Sequence, residues 1–353
     1  MKRIFIFCLV LFCLNIKAQD IQYSQFYANA LYLSPAFAGA NQTSRAILHG
    51  RLQWPSLDAK YIGTTFSFDH YFEKYRSGIG ILFNQDYLNS ADQNRFRNLE
   101  VGLQYAYQVD LSENLVFRPG LQMSFAQKSF NQSNLTWGKQ FDQNTPTGFN
   151  TSLPSGEENK IANPQFLYPD VSAGGLLYSE NFWVGISAHH LNTPVQSFMN
   201  GNDRLNIKGT LHAGVKIHVA QKDIRRYGWE VDEEETSISP VVLYKMQGKA
   251  DQLDLGAYFR HNAVVLGAWY RGIPTKALAP ERINNEAIIA LIGFTHNGFN
   301  FGYSYDFTIS SLKRAGTGGA HELSLTYNFV IEPSNPKKQR PPSKNRKPVC
   351  PKF

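Results

Sequence analysis

Cysteine is scarce in this sequence, which has three in 353 residues: Cys8, Cys13 and Cys350. Two of them fall in residues 1–18, where two basic residues precede an apolar run and Ala18 ends a tolerable secretory cleavage site. We expect this signal peptide to be removed, which leaves Cys350 alone in an exported chain. A single cysteine cannot form an internal disulfide, so stability has to come from a large core or a closed hydrogen-bonded sheet.

Long hydrophobic runs are also missing after the signal. The run from Ala287 to Phe294 has eight residues, whereas a membrane-spanning helix needs about 20. This absence argues against a helical membrane protein.

The body of the chain has no excess of positive charge, although the whole sequence carries a formal +7. Of the 35 Lys and Arg, three lie in the signal and seven lie from Pro333 onward, which leaves 25 against 28 Asp and Glu. Nucleic acid is therefore not expected as a partner. Residues 332–353 are rich in proline and basic side chains, so we expect an extended periplasmic tail with Cys350 as an incidental thiol.

Catalytic and metal-binding patterns are absent from the sequence as well. It contains no G-x-S-x-G elbow, no phosphate-binding loop and no paired thiols. His189 and His190 are adjacent in a predicted strand, where successive side chains face opposite sides, so without a bulge they are not expected to share a metal ion. We expect histidines at the rim or in the lumen instead. His212 and His218 are separated by about 20 Å of strand at roughly 3.3 Å per residue. We expect no catalytic residues, no metal and no cofactor.

What the sequence does contain is a series of segments in which apolar and polar residues alternate, the pattern of β-strands with two different faces. We predict fourteen strands, at residues 43–50, 60–69, 76–86, 96–109, 114–127, 170–178, 181–190, 206–220, 237–247, 250–260, 262–271, 286–296, 299–308 and 320–330. An even number is what a single-chain bacterial barrel with both termini in the periplasm requires.

The connections between these segments support a barrel in the outer membrane. Such barrels have short periplasmic turns and longer outer loops, and most of the predicted connections alternate in this way. The exceptions are 221–236, which is long on the periplasmic side, and 248–249, which is short on the outer side. We expect the chain to cross the outer membrane of a Gram-negative bacterium, with both termini periplasmic.

Polar residues in the alternating segments predict the character of the interior. Four charged residues fall on the polar phase: Glu100, Arg118, Lys208 and Lys216. On the lipid face a basic residue at mid-depth would cost roughly 2 to 4 kcal/mol. These side chains should therefore point into a polar lumen.

A soluble β-sandwich is the main alternative fold. However, predicted strands of 10 to 14 residues match the ~9 to 11 residues that cross a bilayer better than the ~5 to 6 of soluble sheets. The fold class is all-β, a 14-stranded antiparallel transmembrane β-barrel at residues 42–331.

Residues 19–41 form an aromatic, turn-rich segment ahead of the first strand. Its framework consists of Gln25, Phe26, Tyr27, Asn29, Leu31, Tyr32, Pro35, Phe37 and Gly39. This framework closely resembles the opening signature of the PorP/SprF family of type IX secretion outer-membrane proteins. Ile21, Ala30 and Ser34 depart from the usual pattern without changing the aromatic framework. We expect the segment to anchor at the periplasmic mouth of the barrel or inside the lumen, either as a plug or brace or as a docking site.

The resemblance implies a component of type IX secretion and gliding motility that supports export or surface attachment of an adhesin. It also implies three kinds of partner: outer-membrane lipid, periplasmic ring or peptidoglycan-linked components, and the C-terminal domain of a secreted surface protein. The alternative, from a different functional class, is a passive channel for small solutes, because a barrel of this size can leave an aqueous lumen.

Two further regions are candidates for partner contact. The predicted outer loop 128–169 carries Trp137, Phe141 and Phe149, and long loops of this kind are often functional. Together with the predicted loops 191–205 and 272–285, this loop is expected to hold a secreted partner or to cap the lumen.

The long periplasmic connection contains four consecutive acidic residues, Asp232, Glu233, Glu234 and Glu235. They form either a solvated acidic turn or a patch that meets the basic tail or a periplasmic partner.

Overall fold

The computed structural model describes residues 20–90, 93–131, 141–142, 164–198, 201–221, 225–227, 230–232, 235–276, 284–331 and 350. The predicted signal peptide, residues 1–18, and nearly all of the tail lie outside these ranges.

Fourteen strands run through the described part of the chain. They are β1 (Ser44–Gln53), β2 (Lys60–Phe72), β3 (Ser77–Ser90), β4 (Gln93–Tyr107, continued by Val109–Asp110), β5 (Val116–Phe130), β6 (Gln165–Tyr178), β7 (Phe182–His189), β8 (Lys208–Val215, continued by Ile217–Gln221), β9 (Glu235–Gln247), β10 (Ala250–His261), β11 (Val264–Ile273), β12 (Asn284–His296), β13 (Phe299–Thr308) and β14 (Ala320–Phe329).

These strands close into a barrel. Each strand pairs antiparallel with the next, and β14 pairs with β1 from Ser44 opposite Phe329 to Gln53 opposite Ala320. Closure leaves no exposed sheet edge, so main-chain groups are paired inside the sheet, as a low-dielectric surrounding requires. The predicted fold, a 14-stranded antiparallel barrel, is confirmed.

Three predicted connections differ from the structure. Residues 87–95 were expected to form an outer loop, but β3 and β4 continue to Ser90 and from Gln93, with a connection of two residues. Apart from Ala91, residues 89–95 are all polar in sequence, so the alternation that marks a strand disappears. The connection 221–236 contains a hairpin, in which Arg225–Tyr227 pairs with Glu230–Asp232. The loop predicted at 128–169 is shorter, because β5 ends at Phe130 and β6 begins at Gln165.

The connections define two ends of the barrel. We call the end from which 54–59, 131–164, 190–207, 274–283 and 309–319 emerge the long-loop rim, although two-residue turns also lie there. The opposite end, with the connections 73–76, 111–115, 179–181, 262–263 and 297–298, is the short-turn rim.

The outer wall of the barrel is apolar and the inner wall is polar. In β5, Leu121, Met123 and Phe125 are exposed, at 59%, 73% and 63%, and they alternate with buried residues such as Arg118 and Gln122. A belt of exposed large apolar side chains around a closed sheet is expected where the surrounding medium is hydrocarbon. The predicted polar lumen is confirmed. In the described residues there is no helix that is both long enough and apolar enough to cross a membrane.

The lumen contains the N-terminal segment, which we define as Asp20–Ala40. It includes one short helix, α1 (Ala30–Leu33), and a 3-10 turn at Pro35–Phe37, and most of its residues are buried. Two wall glycines make its close approach possible. A side-chain carbon at Gly78 would lie 1.9 Å from the carbonyl oxygen of Ala38, and one at Gly120 would lie 2.4 Å from the main-chain nitrogen of Ala36.

Candidate functional site

The N-terminal segment is bound to the seam of the barrel, where the last strand meets the first. Glu322 of β14 is fully buried, and its carboxylate accepts the main-chain N–H groups of Ser24 and Gln25 at 2.8 and 2.6 Å. The same carboxylate lies 2.7 Å from Arg51 Nη1 and 2.7 Å from His49 Nε2, both on β1. An ionised carboxylate has about four acceptor positions, so Glu322 uses all of them to join the segment to both seam strands.

Gln25 extends this attachment with its side chain. Its Nε2 donates to the hydroxyl of Ser304 and to the carbonyl of Glu322, each at 3.0 Å, while its Oε1 accepts from the hydroxyl of Ser324 at 2.7 Å. Gln25 thus contacts β13 and β14 together. No shorter side chain would reach the same three groups.

A buried cluster of charges surrounds Ser24. Its hydroxyl donates to Asp306 and accepts from Arg51 and Arg271, each of the two guanidinium groups at 2.9 Å. Arg271 also binds Asp254 at 3.0 Å. Because buried charges are tolerated only when they are paired and hydrogen-bonded, this cluster fixes the position of the segment in the lumen through specific partners.

Between the charged cluster and the short-turn rim, the aromatic residues of the signature fill the lumen. Phe26 packs edge-on against Trp269, with ring centroids 5.2 Å apart. The hydroxyl of Tyr27 accepts from Trp183 Nε1 at 2.7 Å. Phe37 stacks on His212 at 5.5 Å, and His212 is completely buried, with no hydrogen-bond partner on either ring nitrogen. His212 therefore acts as one more flat ring in an aromatic core.

Wall side chains also bind the main chain of the segment where no strand is available to pair with it. Gln104 donates to the carbonyl of Leu31 at 2.8 Å, and Ser187 donates to that of Leu33 at 2.8 Å. Arg118 donates to the carbonyl of Ala38. Near the short-turn rim, Gly39 adopts φ of 70° and donates its N–H to Asp69 at 2.7 Å. Carbonyl and amide groups buried in a lumen need such partners.

Asp20 holds the other end of the segment close to the long-loop rim. Its carboxylate lies 2.7 Å from Lys208 Nζ and 2.8 Å from His190 Nε2, and the other nitrogen of His190 lies 2.8 Å from Asp170. Burial alone would lower the pKa of His190, but Asp20 and Asp170 raise it to about 9. His190 is thus a cation at neutral pH and links the segment to β6.

The structure places every predicted signature residue inside the lumen. Eight of the nine residues are buried. The ninth, Tyr32, is partly buried, and its hydroxyl donates to the carbonyl of Ile21 at 2.9 Å. The described segment reaches both rims, so it is not confined to one mouth. Sequence reasoning missed Asp20, Tyr23 and Ser24. They are the polar residues between the signal and the aromatic run, and only their partners on distant strands reveal their role.

The expectation that His189 and His190 face opposite sides of the sheet was wrong. Both side chains are buried, at 6% and 8% exposure, and both enter the lumen. The reason is that β7 ends at His189 and His190 has φ of 61°, which turns the chain and reverses the alternation. The rings have different partners: His189 Nε2 lies 3.2 Å from the carbonyl of Leu33, whereas His190 binds carboxylates.

Of the other predicted contact residues, the structure describes Phe141 and the main chain of Asp232 and Glu235. Phe141 is 55% exposed, while Trp137 and Phe149 lie outside the described residues. Asp232 ends the hairpin at the short-turn rim and Glu235 begins β9, while Glu233 and Glu234 lie outside the described residues.

The connection 190–207 folds over the long-loop rim. Phe198 packs against Phe166 and Phe130, with ring centroids 5.0 and 5.8 Å apart. The side chain of Gln196 donates to the hydroxyl of Tyr168 and accepts from Lys128. This part of the loop therefore packs onto side chains of β5 and β6 at that rim.

Near the short-turn rim, Cys350 is buried against the aromatic core. With Tyr27, Phe37, Arg45 and Tyr258 it lines a cavity of about 120 Å³. The thiol predicted to be an incidental part of the tail therefore packs inside the lumen.

A closed antiparallel barrel with an apolar outer belt and a polar interior, into which an N-terminal segment is bound, defines an outer-membrane β-barrel protein. Residues 15–327 match the sequence model of one family, described as type IX secretion system membrane protein PorP/SprF. The chain belongs to this family, which confirms the resemblance seen in residues 19–41. The family is a component of a secretion system, so it works with other components of that machinery.

Several solved structures are similar to this chain at low identity. The toluene transporter TodX of P. putida is 10% identical, with 85% of this chain and 93% of that chain covered and a TM-score of 0.42. The outer membrane protein Omp33 of Acinetobacter baumannii is 7% identical, with 82% and 100% covered and a TM-score of 0.39. A porin of Rh. blastica is 7% identical, with 81% and 99% covered and a TM-score of 0.32. No curated protein matches the chain.

Proposed function

We propose that this protein is a non-enzymatic scaffold of type IX secretion in the outer membrane, and that it supports export or surface attachment of a secreted partner such as an adhesin. The observation that carries the proposal is the filled lumen. A solute channel needs an open path, whereas here charged and aromatic residues of the N-terminal segment are bound to the wall from one rim toward the other.

The attachment of the segment supports a brace. Ser24 and Gln25 contact strands β1, β11, β13 and β14 through hydrogen bonds with buried partners. Burying one large apolar side chain such as Phe26 contributes roughly 1.5 to 3 kcal/mol. A segment held by so many buried contacts stabilises the barrel, and the partner then binds to the surfaces at the rims.

In the proposed orientation, the short-turn rim faces the periplasm and the long-loop rim faces outward, as in other bacterial barrels. The end of β14 then lies on the periplasmic side, while Asp20 lies in the lumen near the outer rim. A protease added to intact cells should cleave a site inserted in 131–164, and a site inserted in 111–115 should be cleaved only after the outer membrane is opened. The reverse result would overturn the orientation.

The surface proposed to hold the secreted partner is the long-loop rim, formed by 131–164, 190–207 and 274–283. The proposed periplasmic partners, which are ring or peptidoglycan-linked components, would meet the short-turn rim and its hairpin at Arg225–Asp232. We propose that the acidic run from Asp232 to Glu235 takes part in this contact, with an affinity for a basic partner that falls as salt is raised.

Affinity purification of the tagged full-length protein from native membranes tests the proposal. We expect recovery of type IX components and of a secreted surface protein. Deleting residues 140–160 should keep the barrel folded and abolish retention of the secreted protein, while the periplasmic components are still recovered. Recovery of an unchanged set from the deletion variant would contradict the role of the outer loop.

The alternative is a passive channel for small solutes. The cavity of about 120 Å³ beside Tyr27 and Cys350 is the feature that would favour it, since a displaced aromatic core could widen this space. Conductance separates the two functions.

A further inference from the structure

A second, smaller cavity lies at the long-loop end of the lumen. It has a volume of about 20 Å³, which is enough for one water-sized particle. Residues of the N-terminal segment form one side of it and inward-facing residues of β3 to β6 form the other. Its charged lining consists of Asp20, Asp86, Glu100, Asp170, Lys128 and His190.

The charges around this cavity do not balance. Four carboxylates line it, and the described cations near them are Lys128, His190 and Lys208, the last of which binds Asp20. The carboxylates therefore outnumber the lysine ammonium groups that the structure describes beside them. An uncompensated charge in a buried site is costly, so a proton or a bound cation has to neutralise it.

Oxygen atoms without hydrogen-bond partners help to decide between a proton and a bound cation. Asp170 is 2% exposed, and its Oδ1 has no hydrogen-bond partner, although its Oδ2 binds His190. Asn98 also lines the cavity, and its Oδ1 is buried without a partner. Glu100 accepts from Gln122 and Ser124, in both cases through Oε1.

One proton would turn a single carboxylate into a donor and would satisfy one acceptor. A cation in the cavity can be bound by several oxygen atoms at the same time. Carboxylate and amide oxygens are the ligands that hard cations prefer.

We propose that this cavity binds one small monovalent cation, of the class of Na⁺, K⁺ or NH₄⁺, through the oxygen atoms of Asp170, Asn98 and Glu100. A cavity of about 20 Å³ has room for one small ion. A multivalent metal fits less well, because the described residues include no group of three or more His, Cys, Asp or Glu arranged to hold a metal ion. The ion joins the N-terminal segment to the wall at the long-loop rim, where Asp20 and Tyr32 face the same cavity.

Thermal unfolding of the full-length protein in detergent micelles tests this inference. Choline is too large for a cavity of this volume, so it serves as the reference cation. When NaCl, KCl or NH₄Cl replaces choline chloride at constant total salt, we expect Tm to rise by several degrees for at least one small cation, and to rise further with its concentration. Equal Tm values in choline and in all three small cations would overturn the proposal, and so would a response to Ca²⁺ or Mg²⁺ alone.

Two variants sharpen the test. Asp170→Asn removes one charge and supplies a donor, so the difference between choline and the small cation should disappear. Asp69→Asn is the matched control, because Asp69 is an equally buried lumen carboxylate that binds Arg45 near the short-turn rim. This control should lower Tm in every salt and keep the difference. A cation response that persists in Asp170→Asn would contradict the site.

A direct measurement covers the case in which Asp170→Asn fails to fold. The sodium NMR linewidth of a solution of the wild-type protein should broaden, and added K⁺ should reverse the broadening if both ions compete for the cavity. A linewidth equal to that of the detergent alone, together with an unchanged Tm in potassium and ammonium salts, would mean that a proton or water fills the cavity.

Discussion

Glu322 on the last strand accepts the main-chain N–H of Ser24 at 2.8 Å, across a sequence separation of 298 residues. The contact joins the start of the described chain to the strand that closes the barrel. Since the same carboxylate binds Arg51 of β1, the segment and the seam depend on one buried side chain.

Replacing Glu322 by Gln should therefore destabilise the whole barrel. The amide keeps the size of the side chain but removes the negative charge, so Arg51 loses one of its two carboxylate partners and the amide NH₂ meets other donors. Breaking a buried ion pair from one side costs about 3 to 5 kcal/mol. The heat-induced mobility shift on gels should occur at a lower temperature. Glu286→Gln is the control, because the Glu286 side chain is 48% exposed and lies 3.8 Å from Arg271; an equal loss in both variants would contradict the role of the seam.

Substitutions at Tyr27 and Phe26 separate the brace from a docking role. Tyr27→Phe removes the hydrogen bond from Trp183 and should cost about 0.5 to 1.5 kcal/mol of stability. Phe26→Ala leaves a cavity beside Trp269 and should cost about 3 to 5 kcal/mol. Folding is measured by thermal unfolding and complex formation by affinity purification. Intact stability of Phe26→Ala with lost partners would show that the segment docks partners and does not brace the barrel.

The protonation of His190 predicts a pH dependence. Its pKa in the folded protein is raised to about 9, above the usual value of about 6.5. The stabilisation by the charged ring is therefore complete below pH of about 6.5 and is lost as the pH rises through about 9. The difference in Tm between wild type and His190→Asn should be largest in the acidic part of this range and should shrink above it. A difference that grows with pH would reverse the sign and contradict the assignment.

The outer belt predicts a depth-dependent penalty for charge. Leu103 lies on the outer wall at 62% exposure, and Leu111 lies in a short turn at 56%. Arg at position 103 should cost roughly 2 to 4 kcal/mol if the surroundings are hydrocarbon. Leu111→Arg, which introduces the same charge at the rim, should change stability little. Refolding into lipid vesicles with denaturant titration measures both, and equal effects would argue against a membrane at the height of Leu103.

The strands were predictable because a bilayer requires apolar residues on the outer face of each strand, which then alternate with polar residues on the inner face. Residues 299–308 alternate without interruption, and the structure has β13 at Phe299–Thr308. Prediction failed for segments in which apolar and polar residues do not alternate. The extensions of β3 to Ser90 and of β4 from Gln93 meet in a sequence, residues 89–95, that is polar apart from Ala91. The hairpin of Arg225–Tyr227 and Glu230–Asp232 pairs separately from the barrel sheet.

The site was predictable only in part. The aromatic framework around Phe26 and Phe37 stands out in composition and is similar to the family signature. Its partners do not, since Glu322, Arg271 and Trp183 are hundreds of residues away along the chain. No local pattern connects Ser24 with β14. The entry of His190 into the lumen depends on a left-handed φ that its sequence context does not announce.

Conductance of the purified full-length protein in planar lipid bilayers tests the central claim most directly, because the claim is that the N-terminal segment fills the lumen. The filled barrel should carry no steady current at moderate voltage, while Ser24→Pro, which removes one main-chain donor to Glu322, should produce intermittent openings. A steady open-channel current from the wild-type protein would contradict the scaffold and favour a solute channel.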